Sequence, residues 1–301
     1  SHSSLESVVV AKRDVRFLRP GAEFAEYEIG KVLGEGGMGT VYTARQAALD
    51  RSVALKMIKT VSRVRQKHKD QFLSEAIVTG TLEHPNIVPV YDLGKSRDGV
   101  LFLAMKEVRG GPWSDSIDHL SDDENLDVLL RIADAMAFAH SRGIIHRDLK
   151  PANVMVGEFG EVLVMDWGLA LPVGEMSQRG LMASHRSCGT PAYMAPEMVK
   201  GPFDRIGPTS DIYLMGAMLF RALTGGPPHT GSNIRTCMNA AAENRIVETD
   251  RDDELMTIAM KAMATNVNDR YQSMVEFQDA IRDYRSHSES IRLTEFADAQ
   301  F

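Results

Sequence analysis

The sequence predicts an α+β fold of two lobes, a small β-rich lobe followed by a larger helical one. The chain has 301 residues, and at one domain per roughly 150 residues this length suits one large domain or two lobes. Short strand-like segments separated by glycine-rich turns fill residues 27–107, whereas apolar residues at helical spacing dominate residues 108–285. We expect residues 1–26 to form a loosely docked N-terminal arm and residues 286–301 to form a polar C-terminal tail.

The strands of the first lobe are predicted to begin at Tyr27, where a strand, a glycine turn and a second strand follow one another. Residues 53–58 form a third predicted strand, and two more are predicted near residues 87–93 and 100–105. Apolar residues at helical spacing around residues 72–77 predict the one helix of this lobe.

Helix-start signals mark the second lobe. Ser121 and Glu124 match a capping box, in which both side chains bond free amides at the start of a helix. Further helices are predicted from Thr209 to a glycine pair, over residues 252–263 and over residues 273–284.

The composition excludes several classes of protein. Lys plus Arg is 34 and Asp plus Glu is 41, for a net charge of −7, so we expect no nucleic-acid partner. With 44% hydrophobic and 25% charged residues, the chain is neither disordered nor collagen-like. Its 2 cysteines suit a reducing compartment. No apolar run approaches the roughly 18 residues of a membrane span, so we expect no membrane segment.

The first chemical motif is a glycine-rich turn. Gly34, Gly36 and Gly39 form the pattern G-x-G-x-x-G-x-V, which ends at Val41. Glycines let backbone amides approach phosphates closely. No Gly-Lys-Ser/Thr follows as in a Walker loop, and the strand-like segment after Gly39 argues against a dinucleotide fingerprint. Taken alone, the pattern also fits a flexible hairpin.

A lysine in an apolar strand is the second signal. Lys56 lies in Val-Ala-Leu-Lys-Met, where its ammonium must reach solvent or meet an anion. Glu75 on the predicted helix is a natural partner. An ordinary lysine at a strand edge is the alternative.

Three further motifs complete the pattern. Residues 146–153 read His-Arg-Asp-Leu-Lys-Pro-Ala-Asn, residues 166–168 read Asp-Trp-Gly and residues 195–197 read Ala-Pro-Glu. In this order they resemble the signature set of protein kinases. The chain is most similar to bacterial Ser/Thr kinases of the eukaryotic-like (Hanks) type, and the resemblance runs from residue 34 to residue 270.

The resemblance implies the two-lobed protein kinase fold, with one regulatory helix in the N-lobe and ATP between the lobes. It implies that the glycines cover the phosphates, that a lysine–glutamate pair contacts them, and that apolar side chains sandwich the adenine beside a gatekeeper and the hinge amides. The implied ATP-binding residues are Gly34, Gly36, Gly37, Gly39, Val41, Ala54, Lys56, Glu75, Met105 (the gatekeeper), Val108 (the hinge) and Met155.

The resemblance also implies the catalytic residues. Asp148 would accept or orient the proton of the substrate hydroxyl, and Lys150 would stabilise the transferring phosphoryl group. Asn153 and Asp166 would hold Mg²⁺ or Mn²⁺, because phosphate charges need cations and these cations prefer hard oxygen ligands. Asp211 would anchor the backbone of the catalytic loop.

The acceptor class follows from two motifs of the resemblance. The lysine of the catalytic loop and the Gly-Thr-Pro run at residues 189–191 resemble the Ser/Thr form of the family. Thr190 would bond the catalytic aspartate and lysine, and Glu197 and Arg270 would form a buried ion pair under this substrate platform. The implied enzyme is a non-specific serine/threonine protein kinase that uses Mg-ATP. An ATP-binding pseudokinase scaffold and a small-molecule kinase are the alternatives.

Several residues depart from the family pattern. Trp167 replaces the usual Phe, and we expect the fold to tolerate it. Thr79 replaces an apolar residue, so we expect the regulatory helix to seat less firmly. Gln71 and Leu171 stand where other members often carry basic residues. We therefore expect autophosphorylation in the activation loop but a weak dependence of activity on it. The candidate phosphorylation sites are Ser177, Ser184, Ser187 and Thr190.

The chain begins with Ser1 rather than Met, so we expect a catalytic domain cut from a longer protein. We expect it in the cytoplasm, either free or as the cytoplasmic part of a membrane-anchored protein. The expected partners are protein substrates with Ser or Thr acceptors, and a second copy of the chain in a transient dimer for trans-autophosphorylation.

Overall fold

The computed structural model describes residues 10–17, 25–36, 39–58, 66–174, 177 and 188–298. The chain divides into two compact units. The first contains Ser1–Gly111 and Met155–Ala183, and the second contains Pro112–Val154 and Ser184–Phe301. The elements are, in chain order, β1 (Ala11–Lys12), β2 (Val15–Phe17), β3 (Tyr27–Glu35), β4 (Gly39–Gln46), β5 (Arg51–Ile58), α1 (Gln66–Thr81), β6 (Val90–Lys95), β7 (Leu101–Lys106), β8 (Gly110–Pro112), α2 (Trp113–Ser116), α3 (Asp122–Ser141), β9 (Ile144–Ile145), β10 (Val154–Gly157), β11 (Val162–Val164), β12 (Leu171–Pro172), α4 (Pro196–Lys200), α5 (Pro208–Thr224), α6 (Ile234–Ala242), α7 (Glu254–Ala262) and α8 (Met274–Asp298).

A seven-stranded sheet with the order β1-β6-β7-β5-β4-β3-β2 organises the first unit. Val53, Leu55 and Phe102 are fully buried on one side of it and pack with Tyr27. Strand β5 supplies Val53 and Leu55, two positions apart as the period of a strand requires, and β7 supplies Phe102. A second cluster joins Phe72 of α1 to the sheet, so the predicted helix docks through its apolar side.

The N-terminal arm differs from our expectation, because part of it belongs to this sheet. Strand β1 pairs with β6 and strand β2 pairs with β3, both in parallel. The Arg13 guanidinium donates to the Asp92 carboxylate at 3.0 Å, and the Tyr27 hydroxyl donates to the same oxygen at 3.1 Å. The open backbone groups at the sheet edges explain why these short segments pair there. Strands of two or three residues carry too little periodicity to be recognised in a sequence.

Helices build the second unit around α5, which is buried along most of its length. Gly216 allows α7 to approach α5 closely, since a Cβ there would lie 2.6 Å from the Ala262 Cβ. The predicted capping box is confirmed at the start of α3, where Ser121 and Glu124 each bond the other's backbone amide. The predicted α+β class, with a β-rich first part and a helical second part, is thus confirmed.

The C-terminal tail also differs from our expectation. The helix predicted over residues 273–284 continues to Asp298 as α8, so most of the segment that we expected to be a polar tail is helical. Contacts with α3 hold the helix, since Gln278 Nε2 donates to Asp134 Oδ1 at 2.6 Å and Arg285 Nη1 donates to Asp127 Oδ1 at 2.8 Å. Polar contacts of this kind leave no apolar pattern in the sequence.

Candidate active site

The glycine-rich turn connects β3 to β4. The Gly36 amide donates to the Gly39 carbonyl at 2.9 Å and closes the turn. A Cβ on Gly39 would lie 2.4 Å from the Met57 carbonyl oxygen, so only glycine fits there. A Cβ on Gly34 would meet nothing within 4 Å, and one on Gly36 only the Gly39 oxygen at 3.9 Å. Packing within the chain therefore does not require glycine at these two positions. The open space beside their backbone would allow a ligand to approach it. Gly37 lies outside the described residues.

An apolar cluster lies on the sheet beside this turn. Ala54, Val88 and Met105 are buried together, and Val41 and Met165 pack against them. The structure therefore brings together Met105, the expected gatekeeper, and two of the side chains expected at the adenine, Val41 and Ala54. Sequence reasoning missed Val88 and Met165, which are ordinary apolar residues in the chain.

The two other residues expected at the adenine lie elsewhere in the first unit. Met155 is half-buried in β10, and Val108 is half-buried just after β7. Neither belongs to the apolar cluster of Ala54.

Lys56 pairs with two carboxylates in the first unit. Its Nζ lies 2.6 Å from Glu75 Oε1 and 3.8 Å from Asp166 Oδ1. Burial by itself lowers the pKa of Lys56, but the two carboxylates outweigh it and the pKa is raised. Lys56 therefore stays protonated near neutral pH and offers a fixed positive charge. The predicted Lys56–Glu75 partnership forms at hydrogen-bond distance.

The Asp-Trp-Gly segment holds an exposed carboxylate beside a buried indole. The Asp166 side chain is 47% exposed, whereas Trp167 is 1% exposed and thus fits in the core although it is larger than Phe. The backbone of Asp166 has a φ of 54°, a left-handed conformation that costs a non-glycine residue about 1–2 kcal/mol. Surrounding contacts must therefore hold this segment.

The catalytic loop and Thr190 form one hydrogen-bonded group in the second unit. The Thr190 hydroxyl donates to Asp148 Oδ1 at 2.7 Å, and Lys150 Nζ donates to the Thr190 hydroxyl oxygen at 2.7 Å. Lys150 Nζ also lies 3.1 Å from Asp148 Oδ2. The Asn153 amide nitrogen donates to the Asp148 carbonyl at 2.8 Å and to its Oδ2 at 3.1 Å. This arrangement orients the carboxylate and leaves the amide oxygen of Asn153 available to a cation.

Comparison with known proteins agrees with this geometry, since residues 27–296 match the protein kinase domain. The chain belongs to the protein kinase family. It is 34% identical to the serine/threonine-protein kinase PknB of Mycobacterium tuberculosis over 268 residues, which cover 85% of this chain and 42% of that protein. It is 31% identical to the serine/threonine-protein kinase PknD of Chlamydia felis over 289 residues, or 86% of this chain and 31% of that protein. The chain thus spans less than half the length of these relatives.

The catalytic loop of the kinase is anchored by Asp211 of α5. Asp211 Oδ2 accepts the His146 amide at 2.8 Å, and Oδ1 accepts the Arg147 amide at 2.9 Å. Burial by itself raises the pKa of Asp211, but hydrogen bonds and nearby charges, those of His140 first, outweigh it and the pKa is lowered. The ionised carboxylate therefore stabilises the left-handed backbone of Arg147, whose φ is 68°.

A buried ion pair lies beneath the predicted substrate platform. Arg270 donates to Glu197 through both terminal nitrogens, at 2.7 Å and 2.9 Å. The Arg270 side chain is fully buried and the Glu197 side chain is 5% exposed. The Ser210 hydroxyl donates to Glu197 Oε1 at 2.8 Å. The pair fixes the start of α4, directly after the platform.

The candidate phosphorylation sites of the kinase fall into three groups. Ser177 is exposed, and its hydroxyl donates to the Gly174 carbonyl at 2.6 Å. The hydroxyl of Thr190 is already bonded to Lys150 and Asp148. Ser184 and Ser187 lie outside the described residues.

None of the helices in the described part of the kinase has the length and apolar character that a bilayer crossing requires.

Proposed function

We propose that this chain is a serine/threonine protein kinase, which transfers the γ-phosphoryl group of ATP to Ser or Thr hydroxyls of proteins. The observation that carries the proposal is the hydroxyl of Thr190, which bonds Asp148 and Lys150 at once. This contact sets the catalytic carboxylate and the lysine side by side, as transfer to an aliphatic hydroxyl needs. The two relatives compared above are named serine/threonine-protein kinases, which supports the same acceptor class.

The proposed general base is Asp148. Its side chain accepts from Thr190 and Lys150, so the carboxylate has a fixed orientation toward an incoming hydroxyl. Asp148 would accept or orient the proton of that hydroxyl during attack on phosphorus. Lys150 would offset the negative charge of the transferring group.

The residues present fit a divalent cation. Asn153 offers its amide oxygen, because its amide nitrogen is already used toward Asp148. Asp166 offers a carboxylate that is 47% exposed. These are the hard oxygen ligands that Mg²⁺ and Mn²⁺ prefer. When bound, the cation would neutralise charge on the phosphates of ATP.

The first unit is proposed to bind ATP. The amides of the glycine-rich turn and the ammonium of Lys56 would contact the phosphates, and Glu75 holds that ammonium in place. The apolar cluster around Ala54 and Met105 would contact the adenine. An adenine ring is flat and largely apolar on both faces, so small and flexible apolar side chains suit it.

The proposed partners are proteins with Ser or Thr acceptors, which would lie on the platform at Thr190, above the buried pair of Glu197 and Arg270. One such acceptor is the activation loop of a second copy during a transient dimer. Ser177 is the favoured acceptor in the described part of that loop because it is exposed.

The test is transfer of labelled phosphate from ATP with Mg²⁺ to a Ser/Thr peptide and to the chain itself. We expect label on Ser or Thr that disappears in Asp148→Asn and in Lys56→Met. Asp279→Asn, at a position with an exposed side chain, is the matched control and should keep full activity. Binding of ATP without any transfer, with Mg²⁺ or Mn²⁺, would contradict the proposal and favour a pseudokinase scaffold.

A further inference from the structure

A side chain of the regulatory helix α1 contacts the Asp-Trp-Gly segment. Gln71 Nε2 donates to the Gly168 carbonyl oxygen at 3.0 Å, although the two residues are 97 positions apart. Gln71 is half-buried and lies one turn before Glu75, so both side chains leave α1 on the same side. The helix therefore reaches this segment directly through Gln71, and indirectly through Glu75 by way of Lys56.

The two contacts differ in kind. Glu75 acts through charge, because it holds Lys56, whose ammonium lies 3.8 Å from the Asp166 carboxylate. Gln71 acts through a neutral amide on the backbone two residues after Asp166. The backbone of Asp166 has a left-handed φ of 54°, and such a conformation persists only where neighbouring contacts hold it. Gln71 supplies a contact of this kind.

We propose that Gln71 is a positioning residue that fixes the Asp-Trp-Gly segment, and through it the carboxylate of Asp166, against α1. The inference rests on the proposed function, in which Asp166 holds the cation. Both donor and acceptor are neutral, so the contact forms without any phosphate in the activation loop. Gln71 thus makes a contact that needs no phosphorylation, at a position where the sequence departs from the basic residues of other family members.

Three substitutions separate the hydrogen bond from the shape of the side chain. Gln71→Met keeps the length and removes the donor, and Gln71→Glu keeps the shape but places an acceptor against the carbonyl. Gln71→Lys restores a donor. Lys69→Met, at an exposed position of the same helix, is the matched control.

The first readout is tryptophan emission of the protein without nucleotide. Trp167 lies next to Gly168 and is buried, while the other tryptophan, Trp113, is bonded to Asn125 in the second unit and should stay constant. We expect the emission to change in the Met and Glu variants and to match the wild type in the Lys and control variants.

The second readout is steady-state kinetics at varied Mg²⁺. We expect kcat to fall about tenfold in the Met and Glu variants, because loss of one hydrogen bond to a half-buried acceptor lowers a rate by about this factor. The Mg²⁺ concentration for half-maximal rate should rise, and KM for the peptide should stay unchanged. The Lys variant should recover most of the rate.

Unchanged emission together with a kcat within twofold of wild type in Gln71→Met would overturn the inference. So would an equal loss in Gln71→Lys, because the donor would then not be what matters. If Gln71→Met unfolds, the emission and kcat of Gln71→Glu are compared with those of Gln71→Lys instead, and equal values in these two variants would overturn the inference. A wild type without phosphoryl transfer would defeat the proposed function instead, and the emission readout would still decide the role of Gln71.

Discussion

Truncation of Arg270 should destabilise the second unit strongly. Its guanidinium is fully buried and donates to both carboxylate oxygens of Glu197, and also to the backbone carbonyls of Ala264 and Thr209 at 2.8 Å and 3.0 Å. In Arg270→Ala, the Glu197 side chain would keep, among the residues that the structure describes, only the Ser210 hydroxyl as a partner. Removal of one member of a buried pair typically costs about 3–5 kcal/mol, because the other charge stays buried and uncompensated.

The measurement is the free energy of unfolding in urea, compared with that of Arg282→Ala. Arg282 pairs with Asp279 on the surface, where both side chains are more than half exposed, so its loss should cost less than about 1 kcal/mol. A double variant, Arg270→Ala with Glu197→Ala, should cost less than the sum of the two single changes, since no unpaired charge remains. The reasoning is refuted if Arg270→Ala costs no more than Arg282→Ala, or if the two single costs simply add.

Three further outcomes are expected. Thr190→Val should lower kcat by at least about tenfold because it removes two hydrogen bonds to charged groups, whereas Thr190→Ser should stay near wild type; equal rates would contradict this. Burial lowers the pKa of His229 below its usual 6.5, so below that pH the unfolded chain binds more protons than the folded one. The free energy of unfolding should therefore fall as the pH drops below 6.5, and it should fall less in His229→Phe. Identical pH profiles of the two proteins would count against this expectation. Phosphatase treatment should lower the rate by less than about tenfold, because Leu171 is buried and Gln71 is uncharged, and neither offers a positive charge to a phosphate in the activation loop. A hundredfold loss would disprove this expectation.

Local patterns carried much of the fold prediction. The mostly apolar run at residues 53–58 predicted a strand, and the Ser121–Glu124 spacing predicted the start of α3. Both depend on neighbours within a few positions, so the sequence displays them directly. The short strands β1 and β2 depend instead on partner strands far along the chain, and strands of this length leave no periodic signal.

The candidate site likewise contains residues that a local motif identified and residues that only the folded chain brings together. The glycine-rich turn and the His-Arg-Asp motif are contiguous, so sequence alone identified them. Val88 and Met165 join the apolar cluster through strand pairing and packing. No motif contains them, and only the folded backbone shows that they face Ala54.

The order of the motifs predicted the protein kinase family, and the match of residues 27–296 to the protein kinase domain confirms it. The tertiary structure decided which atoms meet. Asp211 accepts amides of the catalytic loop that lie 64 and 65 positions before it, and Gln71 reaches Gly168 across 97 positions. Such contacts are set by how helices and strands pack, to within fractions of an ångström, and spacing along the chain does not encode that distance.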